Sequence, residues 1–182
     1  GPAALNPKGG FWALGRTGEA LRPACAVQEV QPLHNATRFV HCYSWAHRFG
    51  FAGAQRMIDQ GLDFIWKQHR DAQHGGYYWA VSNDGVIDPA KQAYGHAFVL
   101  LAAAAAKAVM HPLADRLLDD IVEVIEQRFW EPERGASREE FSADWQVLST
   151  YRGQNSNMHL TEALIAAFAV TKDTVFLQKA EE

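Results

Sequence analysis

Asn155, His159 and Glu162 stand at i, i+4 and i+7 within the run Tyr151-Arg152-Gly153-Gln154-Asn155-Ser156-Asn157-Met158-His159-Leu160-Thr161-Glu162-Ala163. On a helix this spacing puts an amide, an imidazole and a carboxylate on one face. An imidazole exchanges protons near neutral pH, which makes His159 the strongest single candidate. The rest of this helix, to about Val170, is apolar almost all round, with Met158, Leu160, Leu164, Ile165 and Phe168, which predicts burial. Polar groups buried together are costly unless they pair or face a wet cavity. The stripe is therefore a site candidate; a satisfied core network that sets helix register is the plainer alternative.

Arg38 opens an earlier helix, with His41 and Trp45 at i+3 and i+7. An arginine there presents a planar fork of donors to a hydroxyl or an oxyanion, unless it is a surface or capping residue. Tyr94, in Lys91-Gln92-Ala93-Tyr94-Gly95-His96-Ala97-Phe98, takes the same relative place on another helix; the alternative is a core tyrosine with its hydroxyl satisfied. Lys91 has the chemistry for a Schiff base, but a solvent-facing lysine is the simpler expectation. No second His or Cys is spaced to share a zinc ion with His159, and HExxH, GxSxG, Walker and GxGxxG motifs are absent. The chain thus predicts neither a metal centre nor a nucleotide cofactor. Arg, Tyr, Asn and His beside Trp and Tyr suit carbohydrate: aromatic faces for sugar CH groups, planar forks for hydroxyls.

These residues need helices to bring them together. Helices are predicted from His34 to Phe49, with Asn35 as N-cap and Gly50 as stop, and from about Ala52 to His69. Others follow over about Pro89–Met110, from Pro112 to near Trp130, from Gln154 to about Val170, and from Asp173 onward. Asn83-Asp84-Gly85 predicts a hairpin, and Glu131–Tyr151 a polar loop holding an extended piece. Residues 1–33 lack a helical period and form an irregular lead-in, with Phe11–Gly15 extended or turned. Helix pairs recur at roughly sixty-residue spacing from His34, Pro89 and Gln154. The expected class is all-α, with inner and outer helix layers rather than a plain bundle.

The chain of 182 residues is long enough for one cored domain, with 48% hydrophobic residues and six Trp. Its net charge of -4 and lack of a basic face argue against nucleic acid. No apolar run is long enough to cross a bilayer and no signal peptide is evident, so a membrane partner is not expected and a cytoplasmic location is. Cys25 and Cys42 lack metal spacing and read as free thiols of a reducing compartment, with an incidental disulfide the lesser alternative.

Taken together, six segments resemble the N-acylglucosamine 2-epimerase superfamily, closest to its mannose isomerase and sulfoquinovose isomerase branch. They are Gly9–Leu14, Thr37-Arg38-Phe39-Val40-His41-Cys42-Tyr43-Ser44, Asp71–Tyr78, Lys91–Phe98, Phe129-Trp130 and Tyr151–His159 with Glu162-Ala163, in the family's order along the chain. The resemblance implies an (α/α)6 toroid, of which residues 1–182 would be a single incomplete domain, the N-terminal half. It implies cofactor-free isomerisation of a free aldose such as D-mannose to its 2-ketose through a cis-enediol. A 2-epimerase of N-acylglucosamine or of a disaccharide, or a non-catalytic carbohydrate-binding toroid, is the alternative. On the resemblance Arg38 and His159 are catalytic, and Arg38, Tyr94, Asn155 and His159 contact a monosaccharide. The principal acid/base histidines would lie in the other half of the toroid. A half toroid without its companion would be inactive and would self-associate through an uncovered flank.

Overall fold

The computed structural model describes residues 2–21 and 30–182. Cys25 lies outside the described residues. The chain builds three helix pairs: α1 (Leu33–Arg48) with α2 (Ala54–Phe64), α3 (Ala93–Ala108) with α4 (Ala114–Val124), and α5 (Gln154–Thr171) with α6 (Thr174–Glu181). The inner helices begin 60 and 61 residues apart, at Leu33, Ala93 and Gln154. The central α3 packs against α1 on one side and α5 on the other, while α2, α4 and α6 back their own partners. The layered all-α architecture expected from the sequence is the one formed.

Small residues set the spacing of the layers. A Cβ on Gly61 of α2 would come within 2.5 Å of Val40 on α1, so glycine lets the two helices close. The alanine run of α3 has high helix propensity, and Ala102, Ala103, Ala104 and Ala106 are all buried in the core with Leu100 and Leu117. Both α2 and α4 finish in a five-residue π-turn, Ile65–His69 and Ile125–Phe129, and the chain then leaves extended at Arg70 and Trp130. Arg70 reaches Asp120 on α4 at 2.8 Å through Nε, and the Tyr77 hydroxyl donates to the same carboxylate at 2.7 Å. These contacts join the first pair's exit loop to the second pair's outer helix.

Three small sheets lie at the starts of the inner helices. The hairpin β2 (Ala80–Ser82) and β3 (Gly85–Asp88) turns at Asn83-Asp84, and β1 (Gln31–Pro32) adds to β2. β4 (Lys91–Gln92) pairs with β7 (Glu140–Phe141), and β5 (Trp130–Glu131) with β6 (Ala136–Ser137). The extended piece expected in Glu131–Tyr151 is therefore three short strands. Pairing also moves helix starts. α1 begins at Leu33 after Pro32, which β1 holds extended, so Asn35 lies inside the helix and does not cap it. α3 begins at Ala93 rather than near Pro89, because Lys91 and Gln92 are spent on β4. Pro112 precedes α4, whose N-cap is Leu113. Asp173 does cap α6, accepting from Val175 N at 3.0 Å.

Lys91 departs most from expectation: it is fully buried, not solvent-facing. Its ammonium donates to Asp71 Oδ2 at 2.7 Å and Gly75 O at 2.9 Å, and lies over the Tyr78 ring. Burial raises the Asp71 carboxyl, but Lys91 and the backbone N–H groups of His74 and Gln73 outweigh it, leaving the acid well below its ordinary range. α5 also differs from the buried helix predicted. Its inward side, Leu160, Ala163, Leu164 and Ala167, is buried, whereas Met158 and Ile165 are 54% and 50% exposed because no described neighbour covers them.

Self-association of this chain through the α5–α6 flank is expected at micromolar concentration, and Met158→Lys with Ile165→Lys should reduce it. Sedimentation velocity showing a monodisperse wild-type monomer would contradict this. A second expectation concerns acid. Burial holds His69 at about 4 and His96 at about 3, so both fold neutral. His96 Nδ1 donates to Gln92 O while Nε2 accepts from Tyr77 N, an arrangement that protonation destroys. Below about pH 6.5 the unfolded chain takes up protons that the folded chain refuses, so stability falls as pH falls toward those folded values. Each histidine should contribute a slope approaching about 1.4 kcal/mol per pH unit. Urea midpoints that stay flat between about pH 7 and pH 5 would contradict it.

Candidate sugar-binding site

The N-terminal ends of the inner helices are held in place from outside. Leu33 N, at the start of α1, donates to Trp79 O at 2.8 Å, and Trp79 N donates to Ala90 O at 2.9 Å, so the indole is carried against both α1 and α3. A Cβ on Gly95 would lie 2.9 Å from Leu33 and 3.4 Å from the Trp79 ring, so glycine permits this approach. The start of α5 is capped by a residue from the preceding loop. Glu139 accepts from Gly153 N at 2.9 Å and from Ser156 Oγ at 2.6 Å, and its backbone carbonyl accepts from Ala93 N. Asn157 adds a second anchor, accepting from Ser137 N at 2.7 Å and donating to Gly153 O at 2.9 Å. Glu131, paired with Arg138 and Arg152, steadies the loop that leads into α5.

On this frame Arg38 of α1, Tyr94 of α3 and His159 of α5 meet. Arg38 Nη2 donates to Tyr94 Oη at 3.3 Å, and its guanidinium lies 4.5 Å from the centre of the Phe98 ring. The His159 ring stands edge-on to Tyr94, with centroids 5.3 Å apart at 86°, and 4.6 Å from Phe98. His159 Nδ1 lies 3.0 Å from Glu162 Oε2. Arg38 has no carboxylate partner among the described residues. Asn155 is exposed one turn before His159, and among the described residues it makes no hydrogen bond to the other three.

Three residues not singled out from the sequence complete the surface. His34 stacks on Trp79 at 5.1 Å and meets Tyr94 edge-on at 5.9 Å; Phe98 forms the floor. Burial, and then the Arg38 charge, lower the His34 pKa, which favours its neutral ring. The signal was available, since His34 precedes Arg38 by four residues and Phe98 follows Tyr94 by four, each on the same helix face. Below the aromatic cluster the same faces continue as an apolar groove lined by His41, Trp45, Leu101, Ala105, Ala166 and Val170. The upper end of the inner wall therefore offers a fixed cation, a hydroxyl, two imidazoles and aromatic faces, a set that can grip a polyhydroxylated molecule and stabilise a developing oxyanion.

A family model for N-acylglucosamine 2-epimerase (GlcNAc 2-epimerase) matches residues 9–182. D-mannose isomerase of Thermobifida fusca is 42% identical over 181 residues, 98% of this chain and 43% of that protein. D-mannose isomerase of Pseudomonas cannabina pv. alisalensis is 46% identical over 147 residues, 80% of this chain and 35% of that protein. The crystal structure of a D-mannose isomerase superposes with a TM-score of 0.90 at 31% identity, over 99% of this chain and 45% of the other. The chain thus spans less than half the length of these relatives, and its three helix pairs correspond to half of an α/α toroid. It belongs to the N-acylglucosamine 2-epimerase family.

Proposed function

We propose that this chain supplies part of the sugar site of an aldose–ketose isomerase acting on D-mannose or a closely similar free aldose. The observation that carries the reading is the Arg38–Tyr94–His159 cluster, in which a cation with no carboxylate partner among the described residues meets a tyrosine hydroxyl and an imidazole on an aromatic floor. The likeness to D-mannose isomerases at 42% and 46% identity supports the choice of substrate.

In the proposed reaction the open-chain aldose loses its C2 proton to a base, and the electron pair moves onto the C1 oxygen. The hydroxyl proton passes from O2 to O1, a proton is returned to C1, and the 2-ketose is complete. No redox partner is consumed. Negative charge appears on the sugar oxygens only along the path, so a guanidinium held ready for it favours the transition state over bound substrate. Arg38 has that role. Tyr94 positions Arg38 and offers its hydroxyl, His159 binds and polarises a sugar oxygen, and Asn155 reaches the sugar from the exposed first turn of α5. The histidines that move the C2 and C1 protons are assigned, on the family resemblance, to the other half of the toroid, which is the expected partner of this chain.

A cytoplasmic location belongs to the same proposal. Cys42 is an exposed free thiol, which suits a reducing compartment, and no described helix is long and apolar enough to cross a membrane.

Incubation of the whole protein with D-mannose should yield D-fructose; formation of the C2 epimer instead, or no conversion, would overturn the reading. Arg38→Ala should lower kcat by about 10²-fold with a smaller change in KM, because the lost contact strengthens only along the path. His159→Ala should raise KM as well as lower kcat while leaving the thermal midpoint near wild type. Equal loss of kcat/KM through KM alone for Arg38→Ala would assign that residue to binding only.

A further inference from the structure

Glu162 lies one helical turn beyond His159, and no other described side chain bonds to either ring nitrogen of that histidine. The Nδ1···Oε2 separation is 3.0 Å. A carboxylate anion can only accept, so in this contact Nδ1 must carry the proton. Nε2, on the far side of the ring, is then an unprotonated acceptor, and it makes no hydrogen bond to any described residue. The ring cannot turn freely, because Tyr94 stands edge-on to it and Phe98 lies 4.6 Å away.

We propose that Glu162 is a positioning residue that fixes His159 in its Nδ1–H tautomer, so that Nε2 accepts a hydrogen bond from a sugar hydroxyl. The inference deepens the proposed sugar isomerase and rests on that reading for the identity of the ligand, though not for the tautomer. Its chemical content is a sorting of roles. Arg38 is a pure donor, Tyr94 can donate or accept, and a neutral His159 held by Glu162 becomes a pure acceptor toward the cavity. A hydroxyl lying between Arg38 and His159 can then accept from one and donate to the other, which an ether or a deoxy position cannot do. A free imidazole in water favours the opposite, Nε2–H tautomer, which would put a second donor beside the guanidinium.

The charged and titratable groups facing this pair are few. From α1 come Arg38, His34 and His41; from α3, Tyr94; from α5, Glu162 itself. His41 is the rival partner. Burial lowers its pKa and the Glu162 charge opposes that shift, so the carboxylate acts on both histidines. The direct contact nevertheless goes to His159. Glu162 is half exposed, so it meets the ring without a large desolvation cost.

Long-range proton–nitrogen correlation spectra of the chain labelled at histidine nitrogens, at about pH 8 where imidazoles are neutral, would test this. The His159 signals are identified by their loss in His159→Asn. Wild type should show the Nδ1–H pattern for His159. Glu162→Ala should convert it to the Nε2–H pattern or to an average, and Glu162→Gln, whose carbonyl still accepts, should restore it. A wild-type Nε2–H pattern, or a Glu162→Ala variant that changes His41 alone, overturns the proposal. In the whole protein, Glu162→Ala should raise KM for D-mannose about tenfold, the size of one lost hydrogen bond, with Glu162→Gln recovering most of it. Absence of turnover in wild type would overturn the assigned reaction and leave the tautomer result standing by itself.

Discussion

One residue, Glu139, sets the two inner helices that carry Tyr94 and His159 in register, through its backbone on one and its carboxylate on the other. Its backbone carbonyl accepts from Ala93 N at the first residue of α3, and its side chain accepts from Gly153 N and Ser156 Oγ at the start of α5. A helix start presents free N–H groups and a partial positive charge, so an anion placed there is held by both. Charge-assisted hydrogen bonds of this kind contribute about 1.5–3 kcal/mol each. The strand pair β4–β7 delivers Glu139 to that point, since Gln92 and Glu140 are registered partners. A short two-stranded ladder thereby fixes where two helices begin, and so where a tyrosine and a histidine 65 residues apart come together.

The buried Lys91–Asp71 pair does the corresponding work for the loop beside α3. Removing two charges from water is expensive, and a pair of this kind adds little net stability over an apolar equivalent, while loss of either partner costs about 3–5 kcal/mol. What the pair supplies is definition. Asp71 closes the turn by accepting from Gln73 N and His74 N, Lys91 adds the bond to Gly75 O, and Trp145 Nε1 donates to His74 O from the far loop. The positive φ of Gly76 and the 2.8 Å its Cβ would leave to the Trp145 ring explain why a glycine occupies that turn. The neutral His96 behind it receives Tyr77 N, so the loop is tied on both sides before it reaches Trp79.

Helical period was enough to place the layers. The helix expected over His34–Phe49 runs over Leu33–Arg48, and the one expected from Gln154 starts there. What the sequence left hidden depends on partners far along the chain. Asn35 has the right local chemistry for a cap, yet Val81 and Ala80 hold Gln31 and Pro32 extended and the helix starts before it. Lys91 looks like any surface lysine until Asp71, twenty residues earlier, is folded over it. The composition of α5 signals burial on all sides, but Met158 and Ile165 stay about half exposed. At the site, early positions on inner helices located Arg38, Tyr94 and His159, because parallel helices bring equivalent ends together. His34 and Phe98 went unnoticed because an aromatic on a core-facing stripe is ordinarily packing, and only the neighbouring guanidinium gives these two another meaning.

Charge is handled differently at the frame and at the cavity. Arg70, Arg138 and Arg152 each meet a carboxylate, at Asp120 or Glu131, and are neutralised where they stand. Arg38 meets a phenol and a benzene face instead. A tyrosine hydroxyl orients a guanidinium without cancelling its charge, and the face of Phe98 attracts the cation while leaving its outward N–H groups free. Had a carboxylate stood where Tyr94 is, the arginine would be held as firmly but its field would be spent before any ligand arrived. Glu162, an acid on α5, contacts His159 rather than Arg38. The arrangement leaves the guanidinium charge uncancelled by either of its two neighbours on the inner wall, whereas the frame arginines are neutralised where they stand.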